Sequence, residues 1–255
     1  MIGNGNYERL FGLIGFPLGH SFSQNFFNQK FESEKINARY VNFEIKTIDR
    51  VPEMLAAHQN LAGFNVTIPY KEQIFKYLDA IDPEAKAIGA VNVVKVFRQP
   101  DGSRSLKGYN SDCVGFGDSI KPMLKPAVHA KALILGTGGA SKAVEFALRK
   151  LGLDTLKVSR TAKKGVITYG DVTPALLDEY KVIVNTTPLG MYPHVDECPD
   201  IPYEALGEDH ICYDLLYNPD VTLFMRRAAA HGATVKNGLE MLLLQAFVSW
   251  NIWKK

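Results

Sequence analysis

Asn65, Thr67 and Lys71 crowd into one short stretch, GFNVTIPYKE, at residues 63–72. A β-branched run there ends in a proline, so these side chains fall at the end of a strand. They could form an ordinary strand-to-helix turn with a solvated lysine, or one wall of a polar pocket. Further polar clusters surround them in the chain. His20, Ser21, Phe22 and Ser23 lead into a helical segment, where Ser23 could cap the helix or the two hydroxyls could grip an acid or a diol. Asn92 interrupts the apolar run GAVNVV, where a carboxamide needs a partner. Asn110, Ser111 and Asp112 stand just before a helix, so Asp112 could be an N-cap or a catalytic carboxylate.

A second chemistry is carried by KALILGTGGASKAVEFALRK, residues 131–150. A buried strand runs into Gly136, Thr137, Gly138, Gly139 and Ala140, and a helix follows at once. Glycines let the backbone approach a pyrophosphate, and the helix N-terminus offers free N–H groups and a favourable dipole. The next strand, TLKVSRT, discriminates between dinucleotides. An NAD site usually places Asp or Glu at its end, bonded to the ribose. Here Ser159 is followed by Arg160, Thr161, Lys163 and Lys164. A plain solvated basic loop would look the same, but at this offset from the glycine loop the cations suit the 2′-phosphate of NADP.

The elements that must position these groups alternate between strand and helix. RLFGLIG, ARYVNFEI, LAGFNVTI, GAVNVVKVF and SLKGYN read as strands, the last two flanking a turn at RQPDGSR. SQNFFNQKFESEKI reads as a helix with Phe26, Phe27 and Phe31 on one face, VPEMLAAHQN as a helix with proline in its first turn, and CVGFGDSIKPML as a helix broken near Pro122. Beyond that, KALILG, TLKVS, KVIVNT, HICYDLL and ATVK are strands, with helices such as SKAVEFALRKLG and TLFMRRAAAHG between several of them. That is a βαβ series with a parallel sheet. The change near residues 109–114 divides an N-terminal domain from a dinucleotide-sized second one.

Bulk properties narrow the function classes. With 255 residues, 46% hydrophobic and 22% charged, the chain suits one large or two modest globular domains. A formal net charge of +2 gives no case for a nucleic-acid or membrane-surface partner. The longest apolar stretch, MLLLQAFVSWNIW, is broken by Gln245, Ser249 and Asn251 and is too short for a bilayer, so it reads as a buried C-terminal helix. The N-terminus lacks the pattern of a signal peptide. Cys113, Cys198 and Cys212 match no metal or disulfide spacing, which points to a reducing cytoplasm. Cys113 reads as a small core residue, and His58, His129 and His231 as surface residues with no metal.

Together these segments resemble the shikimate dehydrogenase family, over nearly the whole chain. GFPLGHSFS, GFNVTIPYK, GAVN, GYNSD, GTGGASKA, VSRT, NTTPLGM, YDLLYNP and NGLEMLLLQA follow the family's order of motifs. The resemblance implies an α/β fold: an N-terminal α/β substrate domain at 1–111 and 238–255, and a Rossmann-type NADP-binding domain at 112–237. The C-terminal helix would return to the N-terminal domain. It implies Lys71 and Asp112 as the catalytic pair, with Ser21, Ser23, Thr67, Asn92 and Gln245 binding shikimate and Tyr217 close by. NADP(H) would meet Gly136, Gly138, Gly139, Ala140, Ser159, Arg160, Thr161, Lys164, Thr187 and Gly238. The implied reaction is reversible NADPH-dependent reduction of 3-dehydroshikimate to shikimate, on the route to chorismate, by a cytoplasmic monomer or homodimer. A broader quinate/shikimate dehydrogenase and a non-catalytic NADP or shikimate sensor are the alternatives. Gln24, Val93 and Ser111 depart from the usual proline, threonine and threonine, and Ser111 keeps the hydroxyl.

Overall fold

The computed structural model describes residues 7–19, 21–99 and 101–255. His20 and Pro100 of the RQPDGSR turn lie outside the described residues. The chain folds into two compact units, 1–111 with 246–255, and 112–245.

In the first unit, β1 (Arg9–Gly15) and its flanking strands alternate faces with a period of two. Leu10 and Ile14 enter one core, Phe11 and Leu13 the other. Helix α1 (Phe22–Ser33) carries the chain to β2 (Ala38–Glu44), and α2 (Val51–Ala57) to β3 (Leu61–Val66). Both strands lie parallel to β1, as crossover helices require. The short β4 (Ala80–Ile81) and α3 (Pro83–Ile88) come next, then the antiparallel β5 (Val93–Arg98) and β6 (Arg104–Tyr109). The sheet order is β2-β1-β3-β5-β6-β4. One core lies under α2, with Val41, Met54, Phe64 and Ile74. The other is aromatic: Phe11, Phe27, Phe31 and Tyr40 meet Trp250 and Trp253 from the end of the chain. Val93, one of the three departures, is fully buried in this aromatic core, where a methyl packs and a hydroxyl would need a partner.

The second unit starts with α4 (Asp112–Ile120), followed by β7 (Lys131–Leu135), α5 (Gly139–Lys150), β8 (Asp154–Ser159) and β9 (Val166–Thr168). Helix α6 (Pro174–Glu179), β10 (Val182–Asn185), β11 (Ile211–Asp214), α7 (Leu223–Ala230), β12 (Thr234–Lys236) and α8 (Leu239–Lys254) complete it. Every pairing between these strands is parallel, in the order β12-β11-β10-β7-β8-β9. Counted from β7, this is the 3-2-1-4-5-6 order of a doubly wound Rossmann-type sheet, with its switch point between β7 and β10. Ala132–Leu135 of β7 and Val182–Val184 of β10 are fully buried apolar runs, as in strands covered on both faces. The boundary between the units falls inside α8, after Gln245, and the end of that helix returns to the first unit.

Several expectations are corrected. Helix α1 stops at Ser33 because Lys35 takes a left-handed conformation, φ 54°. GAVN is not strand: Gly89, at φ 72°, ends α3, and β5 begins only at Val93. His129 is buried, not a surface residue. Its Nδ1 accepts from the Lys125 N–H at 2.8 Å, and its Nε2 lies 3.0 Å from the Asp209 carbonyl. His58 is half-buried against Phe43, while His231 is exposed. Cys113 is buried, and all three cysteines are free thiols. Among the described residues no helix is long and apolar enough to cross a membrane, and no cluster of His, Cys, Asp or Glu could hold a metal ion.

Candidate active site

Two loops of the first unit meet at the ends of parallel neighbours. Strand β3 hands over to Thr67, whose N–H donates to the Ile14 carbonyl at 2.9 Å, while Phe16 N–H donates to the Ile68 carbonyl at 3.1 Å. The segment after β1, which leads to Ser21 and Ser23, is therefore tied to the segment that carries Thr67 and Lys71. The Lys71 carbonyl accepts from Val91 N–H at 2.8 Å, and its side chain is half-buried. The residue that caps α1 is Ser21, not Ser23: its Oγ accepts from Gln24 N–H at 3.3 Å. Ser23 lies one step inside the helix, and its hydroxyl is hydrogen-bonded to Tyr40.

Ser23 and Asn92 belong to one buried polar chain. Burial raises the Tyr40 phenol well above its ordinary pKa, so it stays a donor, and it gives its proton to Asn65 Oδ1 at 2.8 Å. Asn65 Nδ2 donates to the Asn92 carbonyl and to Ser249 Oγ, each at 3.1 Å. Ser249 Oγ lies 3.1 Å from Ser111 Oγ. Ser111 holds both ends of the Asn92 carboxamide: its N–H donates to Oδ1 at 2.7 Å, and its Oγ accepts from Nδ2 at 2.9 Å. Ser111 thus anchors Asn92 through both its N–H and its hydroxyl. Tyr40 and Ser249 lay outside the predicted site. Ser249 did leave a signal, as a hydroxyl inside an apolar helix.

In the second unit, Asp112 is a buried residue at the head of α4, and Gln245 is buried with its Nε2 donating to the Leu242 carbonyl at 2.9 Å. Tyr217 is partly exposed in the turn after β11. Lys71 and Asp112 thus belong to different units.

The glycine loop has the geometry of an anion cradle. Gly136 leaves β7 at φ 115°, and a Cβ there would lie 2.5 Å from Thr186 Oγ1, so only glycine fits. Gly138 caps α5 with no side chain, and nothing lies within 4 Å of where its Cβ would stand. Gly139 and Ala140 open the helix, a 12-residue element whose first N–H groups carry the positive end of its dipole. Beyond β8, Ser159 Oγ accepts from Thr161 N–H at 3.5 Å, and Arg160, Thr161 and Lys164 are exposed. Arg160 is close enough to Tyr169 to counter in part the upward shift that burial gives that phenol. An open helix N-terminus followed by an exposed basic loop fits a dinucleotide with an extra phosphate. Thr187 donates through both its N–H and its hydroxyl to Asn185 Oδ1, at 3.0 and 2.7 Å. Gly238 N–H donates to the Leu216 carbonyl at 2.8 Å, and a Cβ at 238 would fall 2.0 Å from the Leu215 oxygen.

Residues 13–94 match the family model described as the shikimate dehydrogenase substrate binding domain. A shikimate dehydrogenase (NADP(+)) from Methanococcus maripaludis is 38% identical over 96% of this chain and 91% of its own. One from Carboxydothermus hydrogenoformans is 36% identical, again over 96% and 91%. Among solved structures, shikimate 5-dehydrogenase from Thermus thermophilus, in complex with NADP(H) and shikimate, superposes with a TM-score of 0.81 at 32% identity, covering 96% of this chain and 93% of that one. With its sequence matched almost end to end and its two α/β units in place, the chain belongs to the shikimate dehydrogenase family.

Proposed function

We propose that this chain catalyses the reversible reduction of 3-dehydroshikimate to shikimate with NADPH, a step toward chorismate and the aromatic amino acids. The observation that carries the assignment is the near end-to-end likeness to an enzyme crystallised with both NADP(H) and shikimate. Ser21, Ser23, Thr67, Asn92 and Gln245 bind the substrate's hydroxyls and carboxylate, with Tyr217 beside it. The open N-terminus of α5 takes the pyrophosphate, and Arg160, Thr161 and Lys164 take the 2′-phosphate. The enzyme works in the cytoplasm, as a monomer or homodimer, where its three thiols stay reduced.

Bound NADPH supplies the hydride. Lys71 answers the negative charge that grows on the carbonyl oxygen: its ammonium stabilises that oxygen and delivers a proton to it. Asp112 accepts a hydrogen bond from the substrate hydroxyl and orients it. The buried Ser111–Asn92 pairing fixes the carboxamide before substrate arrives, so little ordering is left for binding. A sensor would need neither an ammonium nor a carboxylate in these places.

The roles are tested by Lys71→Ala. Loss of a proton donor or oxyanion partner lowers kcat by about a hundredfold or more, with a much smaller change in shikimate affinity. A folded Lys71→Ala enzyme with wild-type kcat removes Lys71 from the chemistry.

A further inference from the structure

Asp214 is a fully buried carboxylate that the reaction above does not use. It ends β11 directly opposite Asn185, which ends β10. Its Oδ1 accepts from Asn185 Nδ2 at 3.1 Å and from Leu216 N–H at 3.0 Å, and its Oδ2 accepts from Thr222 Oγ1 at 2.7 Å. Burying an ionised group is costly, and a site that keeps one with three donors is holding those donors in place.

The donors come from the end of β10 and from both ends of the turn after β11, and a relay through Leu216 reaches a third loop. The bond from Nδ2 turns the Asn185 amide so that its oxygen faces Thr187 and accepts both Thr187 donors. Thr187 Oγ1 then accepts from Leu189 N–H at 3.3 Å, completing the turn after β10. The bond from Leu216 opens the turn that carries Tyr217, and the Leu216 carbonyl receives Gly238 N–H from the segment after β12. Thr222 closes the turn after β11 and caps α7 by accepting from Met225 N–H at 3.3 Å. Three loops at the C-terminal edge of the parallel sheet are thus tied to one carboxylate.

That edge is where a doubly wound sheet binds its dinucleotide, one mononucleotide to each half. The basic loop follows β8, so the adenosine 2′-phosphate end belongs over β7–β9, and the nicotinamide end over β10–β12. We propose that Asp214 is a positioning residue for the nicotinamide half of NADP: through Asn185, Leu216 and Thr222 it sets the shape of the loops that carry Thr187, Tyr217 and Gly238. The inference rests on the NADP binding proposed above.

Two ligands separate this role from a merely structural one. NADP+ spans both halves of the sheet, whereas adenosine 2′,5′-bisphosphate occupies only the β7–β9 half. Asp214→Asn keeps the shape and replaces one acceptor with a donor. By calorimetric titration it weakens NADP+ by about tenfold or more, the scale of a lost charge-assisted hydrogen bond, and leaves adenosine 2′,5′-bisphosphate at its wild-type affinity. Unchanged NADP+ binding, or an equal loss for both ligands, overturns the proposal. If Asp214→Asn does not fold, Thr222→Val and Thr222→Ser pose the same question: valine weakens NADP+ alone and serine restores it, while wild-type NADP+ affinity in the valine variant refutes the proposal. A wild-type protein that binds no NADP+ overturns the functional assignment and this inference together, a result distinguished by the wild-type titration alone.

Discussion

Removing the Ser111 hydroxyl tests the buried polar chain of the first unit. Ser111 is fully buried, and its Oγ serves two partners, Asn92 Nδ2 at 2.9 Å and Ser249 Oγ at 3.1 Å. In Ser111→Ala both bonds go, and water does not replace them. Two neutral hydrogen bonds lost in a buried site amount to about 1–3 kcal/mol. In a chain of this size that lowers the thermal midpoint by roughly 2–4 °C for each kcal/mol. Both tryptophans, Trp250 and Trp253, are buried in the first unit, so tryptophan fluorescence in urea follows the unfolding of that unit. The Asn92 carboxamide keeps its tether to the Ser111 N–H but loses the other, so KM for shikimate rises by roughly two- to twelvefold. NADP+ affinity stays unchanged. Ser111→Thr retains the hydroxyl and restores KM. A Ser111→Ala enzyme with wild-type stability and wild-type KM would refute the claim that this hydroxyl holds Asn92.

The cofactor side yields three further tests. Arg160→Ala weakens NADPH by about ten- to a hundredfold and leaves NADH turnover nearly unchanged, because only the 2′-phosphate loses a charge-assisted bond; an equal fall in kcat/KM for both cofactors would assign Arg160 to the fold. Gly138→Ala and Gly238→Ala separate ligand space from packing space. A Cβ at 138 meets nothing within 4 Å, so that variant keeps its thermal midpoint and loses NADP+ affinity, whereas a Cβ at 238 collides with the Leu215 backbone, so calorimetric scanning of that variant shows a lowered midpoint. Burial raises the Asp214 pKa to about 6 in the folded state, against about 3.9 for an unperturbed Asp. Between those values the folded protein holds a proton that the unfolded chain has released, so Asp214 makes stability fall as pH rises from about 4 to about 6. Asp214→Asn lacks this component. Urea titrations across that range therefore show the stability of the wild type falling relative to the variant by a total on the order of 2–3 kcal/mol. A constant difference between the two would mean that the carboxyl is not shifted.

What the sequence disclosed was mostly local. The run from KALIL through the glycines into a helix is contiguous, and so is Thr67–Lys71 at the end of β3, so short-range pattern reaches both. The basic loop after β8 is legible because the sites that discriminate NADP from NAD lie at a fixed offset within one βαβ unit. The anchoring of Asn92 is different in kind. Asn92 visibly needs a partner, but no local pattern points to Ser111, and Asn65 meets Ser249 across 184 positions of sequence. His129 was misjudged for the same reason, since its second partner, the Asp209 carbonyl, lies 80 positions away. Ser23 reads as a possible cap because either serine could stand at the start of α1; the helix begins at Phe22, which makes Ser21 the cap and leaves the Ser23 hydroxyl for Tyr40. The short elements β4, α3, β9 and α6 were missed because two to six residues carry too little periodicity to register.

Substrate and cofactor are tested together by steady-state rates of the purified protein with shikimate and with quinate, each against NADP+ and NAD+, followed as nicotinamide absorbance. The expected result is that kcat/KM is highest for shikimate with NADP+, and that the preference over NAD+ falls by about ten- to a hundredfold in Arg160→Ala. Turnover of quinate equal to that of shikimate, or NAD+ used as well as NADP+ by the wild type, would contradict it.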